Sequence, residues 1–394
     1  MKNIRENAID VLEQSIISGI IVASPNKVAN YQRVWARDGV ICGLAGLAIG
    51  HEKLSEAFEK SLAILAENQG PDGQIPSNVS VSSNGEVESV SYGSLVGRVD
   101  ATTWFIIGAF HFLAQSPKSQ YRKLLMTSIE KGMKVLSAWQ YNAAGLIYTP
   151  QGGNWADDFI TEGYTFYDQV LYFWCQKLCN KFFQSTYDIN ESKRKIMINF
   201  WPDEATLNQA VHSRAQKSLL SEGQTRFFQA SFRPSGYLDL FDSFAHSLAF
   251  LLQIPNDEQR KEIFLYQSSI SKDLSTSLLP AFWPVIDDKS PLWTELTLGT
   301  SLEFRNRPYE YHNGGIWPMI NSWWGIGLLC LDEKERFKSF KQDLNTLLNQ
   351  AQKPFAEFFH GQTKKSQGVS PCTWSAAGIL LLDHFERHRS GLII

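Results

Sequence analysis

The sequence of 394 residues is 43% hydrophobic, 13% aromatic and 20% charged, with a formal net charge of −3. A chain of this length and composition buries one large core or two ordinary ones, which excludes a disulfide miniprotein and a disordered tail. Lys and Arg are scattered along the chain and form no basic stripe. Nucleic acid is therefore not an expected partner.

No targeting or membrane segment is predicted. The longest apolar run near the start covers residues 15–24, follows Asp10 and Glu13, and is interrupted by Gly19. It has neither the basic region of a signal peptide nor the length to span a bilayer, so we predict a cytoplasmic protein. The five cysteines are odd in number and lack paired metal-ligand spacing. They are predicted to be buried thiols in a reducing compartment.

Apolar residues recur at helical spacing along most of the chain, and strand-like alternation is rare and short. About twelve helices are predicted, at residues 4–22, 38–50, 52–69, 97–115, 119–140, 160–185, 188–221 with a break at Pro202, 239–253, 256–271, 313–330, 333–352 and 372–388. No repeat of a regular solenoid is visible. Alternating short and long connections instead predict an all-α fold of six helical hairpins closed into a ring. No linker-like tract divides the chain, so residues 1–394 are predicted to form a single domain.

Five segments place Trp, Tyr, His, Asn and carboxylates together at loop-to-helix junctions. We expect a ring of helices to present them at one end. A pyranose has an apolar face that aromatic rings cover, and a rim of hydroxyls that Asp, Arg, Asn and His can hydrogen-bond. The combination predicts a sugar-binding site.

The first segment covers residues 31–39. Its Arg37 and Asp38 can hold two neighbouring sugar hydroxyls by charge-assisted hydrogen bonds, with Trp35 stacking on the sugar. A simpler interpretation stays open, in which Asp38 caps a helix and forms a surface salt bridge with Arg37.

The second segment, residues 97–105, places Asp100 at the beginning of a very apolar helix. An Asp in this position is often only an N-cap. Here Arg98 precedes it by two residues and Trp104 follows by four, so a cation and an aromatic ring can border the same carboxyl.

The third segment is a Gly turn that leads through Trp155 into Asp157 and Asp158 and is followed by Tyr164, Tyr167, Asp168 and Gln169. Two Asp residues at a helix start complement the helix dipole. We expect one of them to be structural and the other to face the substrate, and the sequence does not distinguish them.

The fourth segment, residues 307–318, holds two Tyr, a Glu, a His and an Asn before a Gly-Gly turn. A structural loop seldom needs this combination, which favours a functional role for Tyr311, His312 and Trp317. The fifth segment contains Glu357 between apolar residues. Such a setting raises the pKa of an unpaired carboxyl group and suits acid or base catalysis, although a solvated loop Glu is the commoner case.

These segments resemble motifs of known glycosidases. The string YHNGGIWP at residues 311–318 resembles the YHNGGSWP motif of neutral and alkaline invertases, with Ile316 in place of Ser. Residues 97–104 are similar to their GRV…DSGLWW segment, and residues 357–378 resemble their EYYD…TWTIAG ending. Residues 31–38 resemble the YVWPRD segment of glucoamylases. The resemblance spans most of the chain and is to the superfamily of six-hairpin glycosidases, which have an (α/α)6 barrel.

In those families an Asp and a Glu cleave the glycosidic bond with inversion. The resemblance implies Asp100 as the general acid and Glu357 as the general base of an exo-acting hydrolase that removes a terminal α-linked glucosyl unit from a small α-glucoside or oligosaccharide. It implies substrate contacts by Trp35, Arg37, Asp38, Arg98, Trp104, Trp155, Asp157, Tyr311, His312 and Trp317. This chemistry requires no metal and no organic cofactor. In the invertase pattern extra residues precede the catalytic Asp, whereas Asp100 follows Val99 directly, so sucrose is not specified as the substrate.

Two other classes of function stay open. A sugar 2-epimerase can use the same ring of helices but needs a pair of bases, for which His246, His312 and His360 are the candidates. A non-catalytic carbohydrate-binding protein would retain the aromatic pocket. The expected partner in each case is a small carbohydrate, and the sequence makes no prediction of the oligomeric state.

Overall fold

The computed structural model describes residues 3–223, 225–299 and 303–394. Its helices are α1 (Ile4–Gln14), α2 (Ala36–Ala48), α3 (Glu52–Glu67), α4 (Val99–Gln115), α5 (Arg122–Ala138), α6 (Phe166–Phe183), α7 (Ile189–Phe200), α8 (Ser213–Glu222), α9 (Ser243–Leu251), α10 (Asp257–Leu274), α11 (Trp293–Leu298), α12 (Pro318–Cys330), α13 (Lys334–Gln350) and α14 (Thr373–His388), with a 3-10 helix at Glu204–Gln209. Its strands are β1 (Ile16–Ile17), β2 (Ile20–Ile21), β3 (Val34–Trp35), β4 (Asn78–Val81), β5 (Val87–Ser91), β6 (Tyr164–Thr165), β7 (Gln229–Arg233), β8 (Gly236–Asp242), β9 (Phe282–Trp283), β10 (Phe358–Phe359) and β11 (Ser366–Gln367).

Six helices contact one another in cyclic order. α2 packs on α4, α4 on α6, α6 on α9, α9 on α12, α12 on α14, and α14 returns to α2. A second helix backs most of them, with α3 on α2, α5 on α4, α7 on α6, α13 on α12 and α1 on α14. The first and last helices of the chain therefore form one hairpin, which brings the two ends of the sequence together.

The sequence explains which helices are inside. α12 is apolar on all sides and almost wholly buried, whereas its partner α13 buries one stripe of residues at helical spacing and exposes its charged face to solvent. A helix that is apolar all round must be enclosed, and one with a single apolar stripe covers it from outside.

Aromatic side chains fill the space between the inner helices. Trp104 of α4 lies 6.2 Å from Trp174 of α6, 6.1 Å from Phe244 of α9 and 5.9 Å from Trp323 of α12, measured between ring centroids. All four side chains are fully buried. The ring thus encloses a solid aromatic core.

Short antiparallel sheets are added to the helical fold. One has the strand order β3-β4-β5, another the order β6-β7-β8-β9, and two are two-stranded hairpins, β1-β2 and β10-β11. β3, β6 and β8 each lead directly into an inner helix, α2, α6 and α9 respectively. The sheets therefore lie where the inner helices begin, and a strictly all-α description omits them.

The largest difference from the predicted helices is at the start of the chain. Helix α1 ends at Gln14, and the expected continuation to residue 22 is the hairpin β1-β2. Its β-branched Ile residues favour strands, and Gly19 adopts φ +79°, which supports a tight turn. In the described part of the chain, no helix combines the length and apolarity needed to cross a membrane.

Candidate active site

The predicted site residues lie at the end of the ring where the inner helices begin. Arg37 is in the first turn of α2, Asp100 is in the first turn of α4, and Trp317 is the N-cap of α12. Arg37 forms a salt bridge with Asp100, and its guanidinium lies 5.2 Å from the ring of Trp374 in α14. Residues far apart in the sequence therefore meet at one end of the fold.

Asp100 is an enclosed carboxyl group with a cationic partner. It is 1% exposed, and its Oδ2 accepts hydrogen bonds from Arg37 Nη1 at 2.8 Å and from the Tyr167 hydroxyl at 3.3 Å. The N-cap of α4 is Arg98, so helix capping does not explain Asp100. Trp104 is fully buried and donates from Nε1 to the Tyr167 oxygen at 2.7 Å. Trp104 is therefore better placed to hold Tyr167 in position than to contact a sugar.

Asp38 lies beside the same arginine. It is 7% exposed, and its Oδ2 is 3.7 Å from Arg37 Nη2, so this ion pair is not on the surface. Burial raises the pKa of Asp38 to about 6, with Arg37 opposing the shift and the charge of Asp100 adding to it. The N-cap of α2 is the half-buried Trp35, so the capping interpretation of Asp38 is wrong.

Asp157 and Asp158 are held by different arginines. Arg98 Nη2 donates to Asp157 Oδ2 at 2.8 Å, and Arg305 Nη2 donates to Asp158 Oδ2 at 2.6 Å. The side chain of Asp157 is 25% exposed and that of Asp158 is 6% exposed. Burial raises the pKa of Asp157, and Arg98 opposes that shift. The preceding Gly152 has φ +75°, a conformation that favours glycine, and its carbonyl accepts a hydrogen bond from Arg98.

Glu357 is a buried carboxyl group with two donors. Its Oε1 accepts from the Tyr31 hydroxyl at 2.7 Å and its Oε2 accepts from the Val369 N–H at 3.1 Å. Burial raises the pKa of Glu357, and both hydrogen bonds oppose the rise by stabilising the carboxylate. Gly368 has φ +72°, and a Cβ there would lie 2.4 Å from Glu357 Oε2. A larger residue at this position would displace the carboxyl group.

Tyr311 connects the two halves of the site. Its pKa is raised well above the usual value by burial and then by the charges of Asp157 and Glu357. The guanidinium of Arg305 lies 4.0 Å from the centre of the Tyr311 ring. The charges of both carboxyl groups therefore contribute to the electrostatic environment of Tyr311.

Aromatic rings surround His312. It stacks on Trp317 with ring centroids 5.6 Å apart at 8°, and it meets Trp155 edge-on at 5.0 Å. His312 is 0% exposed, and neither of its ring nitrogens has a hydrogen-bond partner among the described residues. Burial lowers the pKa of His312 well below its usual value, and the charge of Arg305 adds to this. The imidazole is thus neutral and has two unused polar atoms.

A second buried carboxyl group supports the loop that carries Asp157. Asp168 is 0% exposed, and its Oδ2 accepts hydrogen bonds from Thr149 Oγ1 and Asn154 Nδ2 at 2.9 Å and from Thr165 Oγ1 at 2.5 Å. Burial raises the pKa of Asp168 to about 7, and the charge of Asp100 adds to the rise. Asp168 ties the Gly turn to the start of α6.

Sequence reasoning did not select Tyr31, Tyr167, Arg305, Trp374 or Asp168 as site residues. Tyr31, Tyr167, Asp168 and Trp374 lie in or near the predicted segments, and that proximity could have identified them. Arg305 precedes the fourth segment by two residues and resembles an ordinary loop cation. Only the fold shows that its guanidinium covers a buried ring.

Two of the three histidines considered for epimerase chemistry, His246 and His360, use ring nitrogens in hydrogen bonds with the backbone. In His246, Nδ1 lies 2.7 Å from the Asp242 carbonyl and Nε2 accepts from the Phe228 N–H at 3.1 Å, so both ring nitrogens are used. In His360, Nδ1 accepts from two backbone N–H groups of the next turn. Over the described residues, no group of three or more His, Cys, Asp or Glu is arranged to hold a metal ion.

The sequence matches one family model. Residues 209–388 match the family described as alkaline and neutral invertase. The match includes the motif at residues 311–318 and Glu357, whereas Asp100 and Asp157 lie before it. Among curated protein sequences, none matches this one significantly.

Solved structures with the same fold include glycosidases at low identity. The GH63 mannosylglycerate hydrolase from Thermus thermophilus, in complex with glucose, is 15% identical, with 96% of this chain and 99% of that chain covered and a TM-score of 0.67. A bacterial glucoamylase complexed with acarbose is 12% identical, with 97% and 55% covered and a TM-score of 0.59. A rhamnosidase from Klebsiella oxytoca with rhamnose bound is 14% identical, with 99% and 64% covered and a TM-score of 0.58.

The resemblance to six-hairpin glycosidases is therefore confirmed. The fold is shared with glycosidases, and the family match over residues 209–388 is to a glycoside hydrolase family. Within that class, residues 209–388 resemble the alkaline and neutral invertases.

Proposed function

We propose that the chain is an inverting, exo-acting glycoside hydrolase that removes a terminal α-linked glucosyl unit from a small α-glucoside or oligosaccharide, working as a single (α/α)6-barrel domain of residues 1–394. The observation that carries the proposal is a pair of carboxyl groups held at the end of the ring where the inner helices begin, Glu357 by the Tyr31 hydroxyl at 2.7 Å and Asp157 by Arg98 at 2.8 Å. Inversion requires one protonated and one ionised carboxyl group, with a water between the sugar and the base.

Glu357 is the general base in this proposal. A base must be ionised, and the hydrogen bonds from Tyr31 and Val369 stabilise the carboxylate against the cost of burial. It also needs a fixed orientation to hold the attacking water, and the same two donors occupy one oxygen each. Glu357 would take a proton from that water as it attacks the anomeric carbon.

The general acid has two candidates, because the resemblance implies Asp100 while the environment of Asp157 suits the role better. A general acid must be protonated near the working pH and must reach the glycosidic oxygen. Asp157 has a pKa raised by burial and a side chain that is 25% exposed. Each carboxyl group forms a 2.8 Å salt bridge, Asp157 with Arg98 and Asp100 with Arg37, but Asp100 is only 1% exposed. We therefore assign the acid to Asp157 and give Asp100 the task of orienting Arg37.

The proposed glucose pocket follows from the remaining groups. Trp35 is half-buried and offers apolar surface, His312 and Trp374 hold buried ring nitrogens that have no protein partners among the described residues, and Arg37 offers charged donors. This mixture matches the faces and hydroxyls of a pyranose. The glucose in the mannosylglycerate hydrolase structure and the acarbose in the glucoamylase structure support a glucosyl unit as the ligand of this chain.

The test is a product assay by NMR on a panel of α-glucosides, with the anomeric signals recorded in the first minutes. We expect glucose to appear first as the β-anomer, together with the free aglycone. First appearance of the α-anomer would contradict inversion. An isomerised sugar without hydrolysis would favour an epimerase, and binding without any product would favour a carbohydrate-binding protein.

A further inference from the structure

A small cavity lies beside Arg98, between the start of α4 and the end of the outer helix α5. Its volume is about 230 Å³. Pockets for drug-sized ligands measure roughly 300–1,000 Å³, so an occupant here must be smaller. The lining includes Asp72, Gln74, Tyr92, Arg98, Val135 and Trp139. None of the groups assigned to acid or base catalysis lines it.

The lining combines two aromatic side chains with one buried polar atom that has no hydrogen-bond partner among the described residues. Gln74 Oε1 is buried and has no hydrogen-bond partner among the described residues. A buried acceptor without a donor destabilises the folded protein, and a ligand donor would remove that cost. The Tyr92 hydroxyl already donates to the Asn68 carbonyl at 2.9 Å, so Tyr92 offers its ring to the cavity. Trp139 is half-buried and adds a second aromatic surface.

We propose that this cavity binds a small polyhydroxylated ligand, between glycerol and a monosaccharide in size, at a site separate from the one that holds the substrate. A hydroxyl donor would satisfy Gln74, the guanidinium of Arg98 would donate to another hydroxyl, and Trp139 would cover the apolar side of the carbon skeleton. The cavity therefore has the same three kinds of group that recognise sugars elsewhere in the chain.

Arg98 connects this cavity to the proposed active site. Its Nη2 donates to Asp157, and its Nη1 donates to the carbonyl of Gly152 in the turn before Asp157. A ligand that binds Arg98 therefore acts on the carboxyl group assigned as the acid, and the two sites must influence each other's affinity equally. This coupling rests on the proposed function, whereas binding in the cavity does not.

The binding test uses protein labelled with 5-fluorotryptophan and followed by 19F NMR, with the Trp139 signal assigned from Trp139→Phe. Glycerol and D-glucose are titrated separately as probes. We expect a saturable shift of the Trp139 signal with at least one of them, and at least tenfold weaker binding in Gln74→Leu. The matched control is Gln115→Leu, which changes an exposed glutamine at the far end of α4 and should bind like the unaltered protein.

D-Glucose also reports on the substrate site through the Trp35 signal, which Gln74→Leu should leave intact. A Trp139 signal that does not move, moves without saturation, or saturates equally in Gln74→Leu would overturn the proposal. If Gln74→Leu fails to fold, the titration of the unaltered protein tests the proposal, and absence of a saturable Trp139 shift refutes it. Failure of the product assay with a saturable Trp139 shift would refute the proposed hydrolase and leave the cavity site standing.

Discussion

Tyr31 and Glu357 are 326 positions apart in the chain and are joined by a hydrogen bond of 2.7 Å. The contact exists because α14 packs on both α1 and α2, which closes the ring and brings the segment before α2 next to the connection before α14. The phenol donates to the carboxyl group that we assign as the base. Its contribution can be measured separately from that of the carboxyl group itself.

Replacing Tyr31 with Phe should shift the pH dependence of turnover. The Tyr31 bond stabilises the carboxylate and so lowers the pKa of Glu357, and its loss raises that pKa. A hydrogen bond to a charged group contributes about 1.5–3 kcal/mol, and one pKa unit corresponds to about 1.36 kcal/mol. We expect the acidic limb of kcat/KM to move to higher pH by roughly 1–2 units. Tyr141→Phe, at a residue 74% exposed, is the control, and an unmoved limb would refute the role.

Asp157→Asn and Asp100→Asn should respond differently to the leaving group. Without its general acid, an inverting glycosidase still cleaves substrates whose leaving group departs without a proton. We expect Asp157→Asn to lose at least 100-fold in kcat on an unactivated α-glucoside, in line with the ~10²–10⁴-fold contribution of general acids, and to keep most activity on α-glucosyl fluoride. Asp100→Asn should lose activity on both, because Arg37 is no longer held. The reverse pattern would restore Asp100 as the acid.

His312→Ala should affect both stability and turnover. The imidazole is fully buried between Trp155 and Trp317, so truncation leaves a cavity, and we expect a loss of about 1–3 kcal/mol in the free energy of unfolding. The pKa of His312 in the folded protein lies well below its value near 6.5 in the unfolded chain. Below about pH 6.5 the unfolded chain therefore binds a proton that the folded protein does not, and the free energy of unfolding decreases as pH falls. Acid sensitivity should thus decrease in the variant. Denaturant unfolding at several pH values measures both effects, with the exposed His388→Ala as control.

Asp168→Asn should change how stability depends on pH where the pH rises toward 7, the direction opposite to that for His312. The folded pKa of Asp168 is about 7 and its unfolded value is near 3.9, so its stabilising contribution is complete below about pH 4 and is lost as pH rises toward 7. The loss is about 1.36 kcal/mol per pH unit while only the folded state holds the proton. The variant should therefore show a flatter decline between pH 5 and 7 than the unaltered chain. Asp288→Asn, at an exposed position, should leave the slope unchanged, and equal slopes in all three proteins would contradict the buried proton.

Periodicity was sufficient to predict most of the inner and outer helices because the two rings differ in composition, but it did not predict the short helix α11. Inner helices such as α12 are apolar all round, and outer helices such as α13 carry one apolar stripe. The hairpin β1-β2 escaped prediction because Ile16, Ile17, Ile20 and Ile21 also fit helical spacing next to α1. The tight turn at Gly19, which has φ +79°, makes this segment a hairpin instead of a continuation of α1.

The segments of the candidate site could be selected from the sequence, but the partners of their residues could not. Loop-to-helix junctions identified the segments containing Asp100, Asp157 and Glu357. The ion pair of Arg37 with Asp100 and the hydrogen bond of Tyr31 with Glu357 depend on how the ring closes, which no local pattern encodes. The different exposures of Asp157 and Asp158 likewise follow from Arg98 and Arg305, which come from distant segments.

Glu357→Gln gives the sharpest test of the stereochemistry. If Glu357 activates the water, the variant should be poor on both the unactivated glucoside and the fluoride, because water must be deprotonated whatever the leaving group. Added azide should restore part of the rate, since a small anion needs no base and can occupy the space between carboxamide and sugar. Attack from the face opposite an α-glycosidic bond yields the β-azide, which NMR distinguishes by its anomeric coupling. Rescue that yields the α-azide would require a covalent glucosyl intermediate, and Glu357 would then not be the base of an inverting enzyme even though its loss abolishes turnover.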